Sequence, residues 1–166
     1  MLGKTAKFTV AAEGAGSYQW YYRTSKTGEW KAVSASSGKT AAYSLTTAAK
    51  HDGYQYRCKM TNKVGYVYTG IVTLKVKPKI TTQPKDVTVK AGNTATFTVA
   101  AKGGTTYQWY YRTSETGEWK EVSAASGKTA SYSLTAKAKH NGYQYRCKVT
   151  NKVGYVYTKT VTLKVN

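Results

Sequence analysis

The sequence has only two cysteines, two prolines, two histidines and seven acids in 166 residues, and each scarcity excludes something. Two cysteines are too few to staple a small scaffold that lacks a core. A metal centre needs three or four converging Cys, His or carboxylate groups. The two histidines, His51 and His140, sit 89 positions apart in matching surroundings, so each stands alone. The acids before residue 77 are Glu13, Glu29 and Asp52, each in a turn-like stretch, and none is paired for acid–base work. Neither cysteine has a neighbouring base to activate it. There is no glycine-rich phosphate loop and no nucleophile elbow. No enzyme, cofactor or metal site is expected. No run approaches the roughly 20 apolar residues of a membrane helix, and Met1-Leu2 lacks the apolar core of a signal peptide. Any export signal or anchor is therefore expected outside these residues.

What is abundant is positive charge and tyrosine. Lys and Arg number 26, for a net charge of +19. The charge is spread evenly, with 11 basic and 3 acidic residues up to position 76, and 15 and 4 after it. That favours non-specific association with polyanions such as teichoic acid, sulfated glycans or nucleic acid. Only four of the cations are Arg, so no specific nucleic-acid reader is expected. Tyr contributes 16 residues and Phe 2. Much of the interior must be built from rings whose hydroxyls need a partner or a route to water.

At an offset of 89 the chain falls into register with itself: Phe8 on Phe97, Trp20 on Trp109, Trp30 on Trp119 and Cys58 on Cys147. Of the 74 pairs from Gly3–Val76 against Gly92–Val165, 16 differ. A period this long is too great for a solenoid unit and suits a self-contained sandwich of about seven strands. The sequence therefore reads as two tandem domains, 1–76 and 80–166, joined by Lys77-Pro78-Lys79. That linker is short and stiffened by its proline, so a semi-rigid rod is expected. Residues 80–89, with Pro84 inside, read as an edge strand. The first copy has no counterpart to it, since Met1 aligns with Lys90. The first domain is thus expected to lack its opening strand, with the flanking strands left open. A truncation of the gene or clone explains this, and so does an incoming strand that completes the sheet.

Within a copy, apolar residues alternate with period two. Phe8, Val10 and Ala12 share one side of a first strand, and Tyr18, Trp20 and Tyr22 of the next, which turns at Lys26–Glu29 into Trp30–Val33. Tyr43 and Leu45 mark a further strand, Tyr54 to Met60 another, and Val72, Leu74 and Val76 the last. Thr47–His51 reads as a turn.

The segment Gly53-Tyr54-Gln55-Tyr56-Arg57-Cys58, repeated at Gly142–Cys147, resembles the corner and F strand of immunoglobulin-like domains. Trp20 and Trp109 resemble the core Trp of strand C. Val10 and Val99 stand where that fold places the partner cysteine. The run from Tyr18 through Trp30 with the Tyr-x-Cys motif resembles the Ig-like repeats of large surface proteins in Gram-positive anaerobes such as Clostridia. The resemblance implies an all-β pair of Ig-like sandwiches whose core includes Val10, Trp20, Tyr56, Cys58, Val99, Trp109, Tyr145 and Cys147. It also implies that the Tyr56 hydroxyl ties back to the loop near His51, although Gly53 lies one residue further from Tyr56 than in the usual pattern. With valine in place of the partner cysteine, Cys58 and Cys147 are expected to be free, buried thiols.

The implied role is an extracellular, bacterial cell-surface module: a spacer among neighbouring Ig-like repeats of an adhesin. The alternatives are a module that binds host glycan or glycoprotein, immunoglobulin included, and a phage virion domain. The candidate binding face gathers the outward residues of strands C and F, Gln19, Tyr21, Arg23, Gln55, Arg57 and Lys59, with Trp30 across the turn that follows strand C and Tyr66 or Tyr68 on strand G. It recurs as Tyr110, Arg112, Trp119 and Arg146. Aromatic rings among arginines suit sugar stacking or protein contact. The same pattern also suits cross-strand packing with cation stems lying over the rings.

Overall fold

The structure is a computed structural model and describes residues 2–166; Met1, aligned above with Lys90, lies outside the described residues. Its contacts divide the chain into two compact units, residues 1–76 and 77–166. Among the described residues, no helix is long and apolar enough to cross a membrane. Apart from short 3₁₀ turns, the ordered elements are antiparallel strands and one parallel pair.

The first unit contains β1 (Thr5–Thr9), β2 (Ser17–Arg23), β3 (Lys31–Ala32), β4 (Ala42–Thr46), β5 (Gln55–Thr61), β6 (Tyr66–Tyr68) and β7 (Val72–Thr73). β1 pairs with β4, setting Phe8 opposite Tyr43. The facing sheet runs β3-β2-β5-β6, with β7 also on β5, and sets Trp20 opposite Cys58. Alternation turns one side of each strand inward. Rings meet between the sheets: Phe8 lies 4.6 Å from Tyr56 and 5.9 Å from Trp20, centroid to centroid. The buried Trp20 Nε1 donates to the Thr40 carbonyl at 3.0 Å, so its one polar atom is satisfied. A 3₁₀ turn, Ser36–Lys39, links β3 to β4. It presses so close that a Cβ on Gly38 would lie 2.6 Å from Val33 Cγ1, which only glycine avoids.

The second unit contains β8 (Lys79–Thr82), β9 (Val87–Val89), β10 (Thr94–Thr98), β11 (Ala100–Lys102), β12 (Thr106–Arg112), β13 (Lys120–Glu121), β14 (Ser131–Thr135), β15 (Gln144–Asn151), β16 (Gly154–Tyr157) and β17 (Val161–Val165). β10–β17 repeat the first unit strand for strand, except that β11 has no strand counterpart there. β8 and β9 are additional. β8 pairs antiparallel with β11, and β9 runs parallel to β17 with Val87 opposite Leu163. Ile80, Val87 and Val89 pack against the core. The edge strand expected around Pro84 is thus two strands, β8 and β9, with the buried Pro84 between them. This break follows from the missing proline N–H and fixed φ.

Several local expectations are corrected. β1 ends at Thr9, short of Val10 and Ala12, and β7 ends at Thr73, short of Leu74 and Val76. The strand expected over Trp30–Val33 is reduced to β3, the two residues Lys31–Ala32. The Tyr56 hydroxyl makes no hydrogen bond to the loop at His51 among the described residues. Instead, the Tyr56 ring stacks on Phe8 and lines a cavity of about 290 Å³ with Tyr22, Tyr43, His51 and Tyr54. The corner closes through backbone and imidazole: the Tyr54 N–H donates to the His51 carbonyl at 3.1 Å, and the Ala48 N–H donates to His51 Nδ1 at 3.0 Å.

Candidate functional site

The side chains of outward parity on β2 and β5 meet as a ladder of stacked rings and cations. The Arg57 guanidinium lies between two ring faces, with Cζ 4.3 Å from the Trp30 centroid and 4.0 Å from that of Tyr68. Arg23 covers Trp30 at 4.7 Å, and Lys59 covers Tyr66 at 3.9 Å. Tyr21 meets Tyr68 edge to face at 6.2 Å. The Arg23 Nε donates to Gln55 Oε1 at 2.7 Å, and the Gln55 amide donates on to Thr73 Oγ1. Gln19 belongs to the edge instead, its amide donating to the Val33 carbonyl at 3.0 Å.

The second unit repeats the ladder. Arg146 sits 4.2 Å from both Trp119 and Tyr157 and 5.9 Å from Tyr110. Arg112 covers Trp119, and Lys148 covers Tyr155 at 4.4 Å. Two contacts have no counterpart in the first unit: the approach of Arg146 to Tyr110, and the Tyr110 hydroxyl, which donates to Glu121 Oε1 at 2.9 Å where the first unit has Ala32 opposite Tyr21. Burial, reinforced by that hydrogen bond to Glu121, pushes the Tyr110 phenol up to about 12. This contact depends on one of the 16 differing pairs, and only the cross-strand register identifies it.

The Nε atoms of Arg57 and Arg146 are buried and have no hydrogen-bond partner. A guanidinium enclosed by rings exchanges water for ring faces, a contact worth about 0.5–2 kcal/mol per ring according to exposure. Both arginines therefore serve to hold the sheet face together, and their rings have a face already occupied. Tyr66 and Tyr155, at the outer end of each ladder, remain 64% and 53% exposed.

The core positions also differ in their cover. Trp20, Tyr56, Cys58, Val99, Trp109, Tyr145 and Cys147 are buried, and Val10 is partly buried. Both cysteines are free thiols. Burial raises the pKa of each, that of Cys147 to about 12, so neither is a ready nucleophile. Among the described residues, no three His, Cys, Asp or Glu side chains converge as a metal site would need.

Two facing sheets around a Trp and Tyr-x-Cys core define an immunoglobulin-like β-sandwich, an architecture typical of adhesion and receptor ectodomains. The immunoglobulin I-set domain family matches residues 78–165, and the chain belongs to that family. Endoglucanase C of the bacterium Cellulomonas fimi is 39% identical over 90 residues, covering 53% of this chain and 8% of that protein. Human Fc receptor-like protein 3 is 28% identical over 155 residues, 89% of this chain and 20% of that protein. The chain thus spans a small part of each of these relatives. Among solved structures, the N-terminal four Ig domains of Dscam1 isoform 6.9 align with 99% of this chain and 42% of that one, at a TM-score of 0.57 and 20% identity. The N-terminal eight Ig domains of Down Syndrome Cell Adhesion Molecule isoform 1.30.30 give a TM-score of 0.55 at 20% identity, over 99% and 24%. At that identity the likeness concerns the fold alone.

Proposed function

We propose that the chain is a non-catalytic structural module, a pair of Ig-like repeats that spaces other parts of a larger bacterial surface protein. The observation that carries this reading is the ladder. In both copies Trp30, Tyr68, Trp119 and Tyr157 each have a ring face taken by the chain's own Arg57 or Arg146, and Lys59 and Lys148 lie over Tyr66 and Tyr155. A similar 90-residue stretch makes up 8% of a bacterial endoglucanase, which fits a module joined to others. A near-identical neighbouring copy fits an array in which length matters.

A second reading is recognition of host glycan or glycoprotein through the same face. It is favoured by the exposed Tyr66 and Tyr155, which recur at equivalent positions and would give avidity. Binding of the two-unit protein to glycan and glycoprotein arrays at two salt concentrations, beside a Tyr21→Ala/Tyr110→Ala variant, separates the readings. No binding, or binding that vanishes with salt, is the spacer's result. Salt-resistant binding lost in the variant overturns it in favour of the binding module.

A further inference from the structure

The cavity bounded by Tyr22, Tyr43, Tyr54 and Tyr56 has no part in the ladder. It measures about 290 Å³, at the small end for ligand sites. All of its lining residues fall between Tyr22 and Tyr56, so neither the first nor the last strand of the unit contributes to it. Tyr22 and Tyr54 stack 6.1 Å apart at 11°, and Tyr43 lies 5.9 Å from Tyr56. Tyr43 and Tyr56 are only 8% and 2% exposed, yet among the described residues their hydroxyls meet no hydrogen-bond partner. The enclosed side-chain atoms that lack a partner belong to Arg57 and Arg146. The two phenol oxygens therefore reach open space, and the open space that both residues line is this cavity. A phenylalanine would fill either stack without a hydroxyl to satisfy.

The second unit repeats the arrangement. All eleven lining residues recur unchanged 89 positions on, from Tyr111 to Tyr145. Five positions interleaved with them differ: Ser36, Ala42, Thr47, Ala48 and Asp52 give way to Ala125, Ser131, Ala136, Lys137 and Asn141. Tyr111 stacks on Tyr143 at 6.3 Å and 11°. Tyr132 lies 5.7 Å from Tyr145, and these two are again 8% and 2% exposed.

The remaining groups set the chemistry of a ligand. Thr24 and Ser34 add two more hydroxyls to the lining, and Lys50 and His51 add nitrogen donors, with no carboxylate among the lining residues. His51 Nδ1 is occupied by the Ala48 N–H at 3.0 Å, so the proton of the neutral ring sits on Nε2. Burial first, and then the phenols of Tyr43, Tyr54 and Tyr22, raise the Tyr56 pKa. The hydroxyls thus cluster and remain protonated donors at neutral pH. Ring faces for C–H groups, clustered hydroxyls for a polyol and a cation without an acid together fit a sugar that carries negative charge.

We propose that this cavity, and its counterpart around Tyr132 and Tyr145, binds one acidic sugar unit, a pyranose bearing a carboxylate. Its ring carbons lie against Tyr22 and Tyr54, its hydroxyls bond the phenols of Tyr43 and Tyr56, and its carboxylate pairs with Lys50. The site is separate from the ladder and stands whether or not the repeats act as spacers.

The test is an NMR titration of the 166-residue protein in about 0.15 M salt with glucuronate, galacturonate and N-acetylneuraminate, beside glucose and acetate. Saturable shifts are expected with at least one acidic sugar, in parallel at the amides of Lys50–Tyr54 and Lys139–Tyr143. Glucose should bind roughly tenfold more weakly, and acetate should not saturate. Tyr43→Phe/Tyr132→Phe keeps the rings and Lys50→Gln/Lys139→Gln alters an exposed position; each should weaken binding roughly tenfold. Glucose or acetate binding as well as the acidic sugars overturns the proposal, as does the absence of any saturable shift at these amides. Either variant binding as tightly as the native protein also overturns it; for the tyrosine pair, that result leaves water as the partner of the hydroxyls. Shifts centred on Trp30 and Arg57 instead overturn this site and support recognition through the ladder face.

Discussion

Phe97 is 1% exposed, while Phe8 at the equivalent position is only partly buried. Val161 is 4% exposed and Val72 45%; Leu163 is fully buried and Leu74 is not. The residues are identical in each pair and the strand registers match, so burial here is a property of the cover. In the second unit that cover is the eleven-residue segment 79–89, whose Ile80, Val87 and Val89 pack against the core. The aromatic centre around Trp20 and Trp109 does not depend on it, because both rings are enclosed by strands that the two copies share.

The comparison can be broken most forcefully at the paired phenylalanines. Phe97→Ala should cost about 3–5 kcal/mol as a buried ring is lost, and Phe8→Ala about 1–2 kcal/mol, in proportion to its smaller burial. Residue-resolved hydrogen exchange assigns each loss to its unit, and equal losses would sink the argument from cover. Next, Ile80→Lys should destabilise the second unit by about 2–3 kcal/mol and raise exchange at Val161–Val165 towards that of Val72–Val76.

Arg146→Ala should cost about 1–2 kcal/mol through two lost ring contacts, slightly more than Arg57→Ala, because Arg146 also approaches Tyr110. Paired denaturant titrations measure that difference. A smaller effect concerns the hydroxyl of Tyr110. Its pKa is raised in the folded state, so the associated stability is full below the unfolded value of about 10 and fades as pH rises through about 12. Glu121→Ala should lower the Tyr110 titration point, read by ultraviolet absorbance.

The smallest expected effect, and the same in both copies, comes from His51 and His140. Burial first, and neighbouring lysines second, lower both pKa values, and each Nδ1 must stay unprotonated to accept a backbone N–H. The unfolded chain therefore binds protons first as pH falls below about 6.5. Stability declines from there down through the folded pKa, and His51→Gln/His140→Gln should flatten that slope.

Much of this was legible in the sequence for a physical reason. A period of two fixes which side chains share a face, so Tyr21, Arg23 and Arg57 could be grouped on β2 and β5 without coordinates. The Trp and Tyr-x-Cys spacing carried the fold in the same way. Less legible was anything decided by rotamer or register. That Arg57 lies between Trp30 and Tyr68 depends on side-chain torsions. That the Tyr56 ring stacks on Phe8 while His51 closes the corner depends on side-chain placement as well. Nor was it legible that residues 79–89 divide into β8 on β11 and β9 parallel to β17, because those partners lie far apart in the chain.

The two buried thiols make the molecule its own stopwatch. A membrane-permeant or small alkylating reagent reaches Cys58 only when the first unit opens and Cys147 only when the second does. The order in which the two become labelled, under heat, denaturant or mechanical load, records which repeat yields first and how fast, with no probe introduced by mutation.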